Sequence, residues 1–347
     1  MQTIKTALCS FGMSGVLFHA PFLHLHKGFE LYGVWERSKK IAAEKYPAIK
    51  SFDTYEALLN DEAIELVIVN TPNYTHFDFA KKALLAGKNV IVEKPFCVTV
   101  KECDELIALA KEKNKLLSVY QNRRYDSDFK IISKVIANKL LGDIVEAEFH
   151  FDRYKEDLSP KEHKETPGPG TGLLYDLGSH LIDQALCLFG MPQSIFADIT
   201  SIRKISLVDD YMELILFYPN LRVRIKSSYI VREALPSYIL HGTKGSFIKP
   251  RTDVQETALL SGATPDANDW GKELENEMGL LHTEKEGKVI REYLPSQNGN
   301  YMDYYNGIYQ SLTTGVNLPV SAEDGKKVIT IIEKAYQSCT EKKVVII

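Results

Sequence analysis

Residues 4–9 form a short, largely apolar run that stops at Ser10-Phe11-Gly12-Met13-Ser14-Gly15, and apolar positions then recur at helical spacing from 16 towards 25. That order predicts a strand, a glycine turn and a helix. Further apolar runs at 30–35, 66–70, 90–93 and 116–120 alternate with helix-like stretches at 54–59, 77–85 and 100–110. Strands that read as continuous apolar runs are covered on both faces, and strand-helix alternation predicts a parallel, doubly wound sheet.

Beyond a polar hinge at 121–125 and a helix at 129–140 the period changes. Val145, Ala147, Phe149 and Phe151 alternate with Glu146, Glu148, His150 and Asp152, the spacing of a strand with one wet face. Runs at 211–218, 221–229, 238–240 and 246–249 continue this character, separated by turn formers such as Pro219-Asn220 and 242–245. The expectation is an α/β protein in two parts. Residues 1–122 form a dinucleotide-binding Rossmann domain with a doubly wound parallel sheet. Residues 123–347 form an α+β domain for substrate binding and dimerisation, with an open, mainly antiparallel sheet, an apolar helix at 173–189, another helix at 322–339 and a last strand at 344–347.

Length supports the division, since 347 residues exceed what one hydrophobic core usually holds. A net charge of −4 argues against a nucleic-acid partner, which needs a basic face. The five cysteines have no paired spacing and sit mostly in apolar runs, so they read as reduced core thiols. The first residues lead straight into a strand and no apolar stretch reaches 18 residues, so no membrane span is expected and a cytoplasmic location is.

Candidate chemistry gathers at strand ends. The glycine turn lets backbone N–H groups approach a pyrophosphate at a helix N-terminus, although Ser10 stands where the first glycine of such turns usually is. Glu36 falls 21 residues beyond Gly15, where a dinucleotide fold places its ribose-binding acid, and a carboxylate there favours NAD. Arg37, Ser38 and Lys39 pull towards NADP, because a cation can pair with a 2′-phosphate. The choice between NAD and NADP stays open. Residues 70–76, Asn-Thr-Pro-Asn-Tyr-Thr-His, form a polar bend that could border the nicotinamide, with Thr75 equally suited to cap the next helix. Glu93-Lys94-Pro95 ends a buried strand in an acid, a base and a strand breaker, and Lys94 is suited to hydrogen-bond an oxygen that gains and loses a proton. On the helix at 173–189, Asp176, His180 and Asp183 or Gln184 recur on one stripe, which suits a catalytic His-Asp pair, a satisfied core contact or, formally, a set of metal ligands. No metal is expected.

Gly12-Met13-Ser14-Gly15, Phe18-His19-Ala20-Pro21, the 71–76 bend, Ala86-Gly87-Lys88-Asn89-Val90, Glu93-Lys94-Pro95 and 176–184 together resemble the Gfo/Idh/MocA oxidoreductase family over nearly the whole chain. Phe18-His19-Ala20-Pro21 and Gln121-Asn122-Arg123-Arg124 look like the subgroup that contains scyllo-inositol dehydrogenases. The resemblance implies a nicotinamide-dependent dehydrogenase or reductase for a sugar, inositol or related polyol, with a cis Lys94-Pro95 peptide and a homodimer or higher homo-oligomer formed through the second sheet. It implies catalysis by Lys94, Asp176 and His180. Cofactor contacts would come from Phe11, Gly12, Met13, Ser14, Gly15, Glu36, Arg37, Thr71, Pro72, Asn73, His76, Glu93, Lys94 and Asn122, and substrate contacts from Arg124, Asp152 and Tyr154. A departure follows Tyr154, where residues 160–165 lack the Trp that related chains often carry. An NAD-retaining glycosidase of the same fold and a non-enzymatic nucleotide-bound regulator are the alternatives.

Overall fold

The computed structural model describes residues 3–36 and 40–347, and the chain divides into two compact units. One comprises residues 1–122, 255–270 and 300–326, and the other 123–254, 271–299 and 327–347. The first break falls after residue 122, and residues 255–270 and 300–326 cluster with the first unit as well. Residues 300–326 join the first unit through aromatic packing: in the helix Met302–Thr314, Tyr304 and Tyr305 are fully buried. The Tyr305 ring stacks on Phe22 at 5.7 Å, Tyr304 meets Tyr120 edge-on at 4.9 Å, and the Ser118 and Tyr304 hydroxyls are 2.8 Å apart.

The first unit carries six parallel strands: β1 (Ile4–Leu8), β2 (Phe29–Trp35), β3 (Lys50–Phe52), β4 (Leu66–Val69), β5 (Asn89–Glu93) and β6 (Leu117–Tyr120). Their order is β3-β2-β1-β4-β5-β6. The winding reverses between β1 and β4, and in open parallel sheets ligands bind at the carboxyl ends of the strands flanking such a reversal. Leu66 to Val69 and Val90 to Val92 are wholly buried, the reason these strands read as unbroken apolar runs. Thr99 and Glu102 form a capping box that starts the helix Val100–Glu112.

The second unit holds nine strands: β7 (Ile144–His150), β8 (Ser194–Thr200), β9 (Tyr211–Phe217), β10 (Arg222–Ser228), β11 (Tyr238–Gly242), β12 (Gly245–Lys249), β13 (Gly279–Lys285), β14 (Lys288–Leu294) and β15 (Val345–Ile346). Their order is β14-β13-β12-β11-β7-β10-β9-β8-β15, and only β7 with β10 run parallel. The alternation in β7 is realised only in its middle: Ala147 and Phe149 are fully buried, with Phe149 packed on Phe189 and Tyr238, whereas Val145 is exposed and His150, expected on the wet face, is buried. Cysteine placement is mixed: Cys9, Cys97 and Cys103 are buried thiols, whereas Cys187 is exposed and Cys339 half-buried. Cys187 lies in the last turns of its helix, past the buried stretch that ends at Ala185, so the core reading fails for it. Among the described residues no helix is long and apolar enough to cross a membrane.

Candidate active site

At the end of β1 the glycine turn is held by Ser10 and Asn70. The Asn70 side chain accepts from the Ser10 N–H (3.0 Å) and donates to the Ser10 carbonyl (2.9 Å), while the Ser10 hydroxyl donates to the Asn70 carbonyl (2.9 Å). Ser10 thus takes the first glycine's place as a latch to β4. A Cβ on Gly15 would stand 2.7 Å from the Ser10 carbonyl oxygen, so only glycine packs there, whereas a Cβ on Gly12 would meet nothing within 4 Å. That open backbone, followed by a helix start, fits a pyrophosphate. Phe11 is buried against Tyr46, with ring centroids 6.1 Å apart, and Met13 is 46% exposed beside the turn. Gly15–His19 is a π-helical turn that continues as the α-helix Ala20–Leu25, a variation often found at functional sites.

Glu36 is buried, and its carboxylate accepts from the N–H groups of Ile41 (3.0 Å) and Ala42 (3.3 Å), capping the short helix Ala42–Lys45. Both of its oxygens thereby accept from backbone N–H groups. Arg37, with Ser38 and Lys39, lies outside the described residues.

Glu93 is the hub of this unit. It accepts from the Ser14 hydroxyl, from His19 Nε2 (2.9 Å) and from the Lys94 N–H (3.1 Å), and His19 Nδ1 reaches the Tyr305 hydroxyl at 2.7 Å. Burial raises its pKa, but the His19 bond and charge, the Ser14 bond and the Lys94 charge outweigh that and bring it to about 2. The hydrogen bond from Ser14 ties the glycine turn to the strand that delivers half-buried Lys94. The Lys94-Pro95 peptide is cis. Buried His76 spans the Pro95 carbonyl (2.8 Å) and the Thr71 carbonyl (2.9 Å), and burial lowers its pKa. The polar bend Thr71-Pro72-Asn73 is thus stapled to the turn after Lys94. Thr75 does not cap the helix with its side chain; its hydroxyl turns back to Thr71 Oγ1 (2.7 Å) and the Pro72 carbonyl (2.6 Å). Asn122 is buried at the start of a 3-10 turn, Asn122–Tyr125.

In the second unit, Leu174–Gly178 is again a π-helical turn, leading into the α-helix Ser179–Phe189. Asp176 pairs with Lys164 at 2.8 Å, and His180 is 5% exposed. Asp183 holds the Arg124 guanidinium through two hydrogen bonds, 2.8 and 2.7 Å. Gln184 donates to the Arg123 carbonyl and accepts from Tyr238, both at 3.1 Å. Asp152 accepts from the Ser228 N–H (3.1 Å) and lies 3.6 Å from His150 Nδ1, an ion-pair rather than a hydrogen-bond distance. Tyr154 is covered by the Arg232 guanidinium, 4.0 Å from its ring centroid. Among the described residues no group of three or more His, Cys, Asp or Glu could hold a metal ion. Sequence reasoning had Asn70 only as the head of the polar bend and His19 only within the Phe18–Pro21 motif, and it passed over His150 and the basic pair Arg153 and Lys155. Only the alternation around 145–155 carried a signal for the last three.

A parallel sheet in the β3-β2-β1-β4-β5-β6 order, with a glycine turn at its switch point, defines a dinucleotide-binding domain. Residues 4–121 match the oxidoreductase family's NAD-binding Rossmann fold, and residues 133–347 its C-terminal alpha/beta domain. The chain belongs to the Gfo/Idh/MocA oxidoreductase family, and is an enzyme that uses a nicotinamide cofactor on CH–OH groups. It is 38% identical to scyllo-inositol 2-dehydrogenase (NADP(+)) IolW of Bacillus subtilis, over 100% of this chain and 97% of that one. Among solved structures, an oxidoreductase from Bacteroides fragilis is 48% identical with a TM-score of 0.92, each chain covered in full. The yvaA oxidoreductase from Bacillus subtilis is 38% identical with a TM-score of 0.96, over 100% of this chain and 99% of that one.

Proposed function

We propose that the enzyme interconverts a secondary alcohol and its ketone on a sugar, inositol or related polyol. The observation that carries this reading is the Glu93 hub, which bonds the glycine turn through Ser14 and the backbone of Lys94 at once. A cation fixed at the carboxyl end of β5 is thereby held in register with the turn that fits the dinucleotide. When bound, the nicotinamide accepts or supplies the hydride. In the oxidative direction His180 takes the hydroxyl proton, Asp176 supports the resulting imidazolium, and Lys94 donates a hydrogen bond to the oxygen as it gains alkoxide character. Arg124 and Asp152 act on substrate through the positions they fix rather than as unengaged groups, since Arg124 is bonded to Asp183, and Asp152 accepts from the Ser228 N–H and faces His150 at ion-pair distance.

NADP is the cofactor we favour over NAD. Two backbone N–H groups already draw on the Glu36 carboxylate, which weakens its repulsion of a 2′-phosphate. In the second unit, Phe196, Ile215, Phe217 and Ile239 are half-exposed on strands β8, β9 and β11, a face suited to a homodimer or higher homo-oligomer. A cytoplasmic location is part of this reading, because the scattered spacing of the five cysteines fits no disulfide frame.

The test is steady-state turnover of NADP+ and NAD+ with a panel of inositols, hexoses and hexitols, and of NADPH with the matching ketones. Lys94→Met and His180→Ala should each lower kcat by about 10² to 10⁴ on the best substrate. Near-normal turnover in both variants overturns the residue assignment. Cleavage of an aryl glycoside without net cofactor reduction would identify the glycosidase reading instead.

A further inference from the structure

After β7 the backbone stays extended. The Arg153 N–H donates to the Ser228 carbonyl (2.9 Å), the Lys155 N–H to the Tyr229 carbonyl (2.7 Å) and the Val231 N–H to the Arg153 carbonyl (3.0 Å). In extended chain, residues two apart share a face, so Phe151, Arg153 and Lys155 stand together, opposite His150, Asp152 and Tyr154. The contacts agree. The Arg153 guanidinium lies 5.0 Å from the Phe151 ring centroid, and Lys155 Nζ lies 5.7 Å from that of Tyr229, which also carries the Arg203 guanidinium at 5.2 Å. Asp176 acts electrostatically on both Lys155 and Tyr229, so this basic face adjoins the acid of the candidate catalytic helix.

The Phe151 ring also carries the Arg123 and Arg251 guanidiniums at 5.0 and 3.8 Å, with Arg123 paired to Asp126 and Asp253. Of the four cations around Tyr229 and Asp176, two are spent. Lys164 is paired with Asp176, and Arg203 with Asp210 (2.8 Å) and Glu165 (3.4 Å). Arg153 and Lys155 have no carboxylate partner among the described residues. Burial, then the charges of Arg153, Lys164 and Arg203, push the Lys155 pKa down against the pull of Asp176. Two unneutralised like charges, seated on aromatic rings and adjoining Asp176, are a configuration that an anion relieves.

We propose that Arg153 and Lys155 receive an anionic group of the substrate, a carboxylate or a phosphate monoester, so that the enzyme prefers an acidic or phosphorylated sugar or polyol to a neutral one. This rests on the dehydrogenase reading above. It assigns substrate discrimination to two side chains that flank Asp152 and Tyr154 in sequence but stand on the other face.

The experiment compares kcat/KM, with the preferred dinucleotide, on glucose, glucuronate and glucose 6-phosphate, and on myo-inositol and its monophosphate. The wild type should prefer at least one acidic member about tenfold or more over its neutral counterpart, a factor set by one or two charge-assisted contacts. Glucuronate against glucose 6-phosphate distinguishes carboxylate from phosphate. Arg153→Gln and Lys155→Gln should each reduce the acidic-to-neutral ratio severalfold, through KM rather than kcat. Equal use of neutral and acidic members by the wild type, or an unchanged ratio in both variants, overturns the proposal. If no member is turned over, the hydride-transfer reading fails, and calorimetric titration of wild type and Arg153→Gln with inorganic phosphate and with glucuronate still decides the anion site. Binding weakened by the substitution supports it, and equal or absent binding overturns it.

Discussion

Replacing Glu93 by Gln keeps the shape of the hub and removes its charge. The wild-type carboxyl ionises near 2 instead of the ordinary 4.5 because the His19 bond and charge, with Ser14 and Lys94, outweigh the burial that opposes ionisation. The group is buried, at 8% exposure, so little solvent screening applies. A depression of that size contributes about 3 kcal/mol to folding at neutral pH. For an acid with a lowered folded pKa, the contribution is complete above the unfolded value of 4.5 and is lost as pH falls towards 2. By pH 3.5 roughly 1 kcal/mol of it should be gone.

The assay is urea unfolding followed by tryptophan fluorescence at pH 7, 5 and 3.5. Both tryptophans, Trp35 and Trp270, belong to the first unit, so the signal reports on the unit that holds Glu93. Glu93→Gln should be less stable by about 2–3 kcal/mol at pH 7, and its gap to the wild type should narrow by roughly 1 kcal/mol at pH 3.5. A gap that does not change with pH, or a variant as stable as the wild type at pH 7, would refute the electrostatic account of the hub.

Arg124→Lys retains the charge but not the two-pronged bond to Asp183, which is 2% exposed; the loss should be about 2–4 kcal/mol in chemical denaturation, and a loss under 1 kcal/mol would show that the fork is dispensable. Burial opposes the charged form of His150, yet Asp152 and Glu148 together outweigh it and raise the pKa. A raised folded pKa contributes stability below the ordinary 6.5 that is lost as pH rises through the folded value. NMR titration of the His150 ring should therefore give a midpoint above 6.5 that moves down in Asp152→Asn, and a midpoint that the substitution leaves in place would dismiss the Asp152 contribution.

The first unit was largely legible because its strands are buried on both faces. Leu66 to Val69 and Val90 to Val92 have no wet side to interrupt the apolar run, and Glu93-Lys94-Pro95 ends the second of them abruptly. Strands β3, β8, β13 and β14 were not read. In β14 most positions are exposed, as suits an edge strand, so alternation leaves no trace and the hairpin is marked only by Glu286 and Gly287 at positive φ. The bonds made by Asn70 and His19 were not legible for a different reason. Their partners are Ser10, 60 residues away, and Glu93 and Tyr305, 74 and 286 residues away, and no local period encodes such pairings. Asp152 and Tyr154, chosen from sequence, lie on the parity that faces His150 and Arg232, contacts that the alternation alone does not name.

The polar residues of the helix at 174–189 show how one sequence pattern comes to serve two ends. Asp176, His180, Asp183 and Gln184 look equivalent when written as a stripe, but the π turn at Leu174–Gly178 adds a residue to the first turn and moves Asp176 off the regular α-helical phase of the later positions. Asp183 and Gln184, both nearly inaccessible, are consumed in holding Arg124, the Arg123 carbonyl and Tyr238. Those bonds anchor the helix to the segment that follows Asn122 and to β11. Asp176, with a side chain 24% exposed and paired to a lysine of the preceding segment, stays at the surface of the unit. The anchored second half fixes the position of buried His180 one turn before it, and partly exposed Asp176 is the polar residue of the stripe that those bonds leave uncommitted to the core.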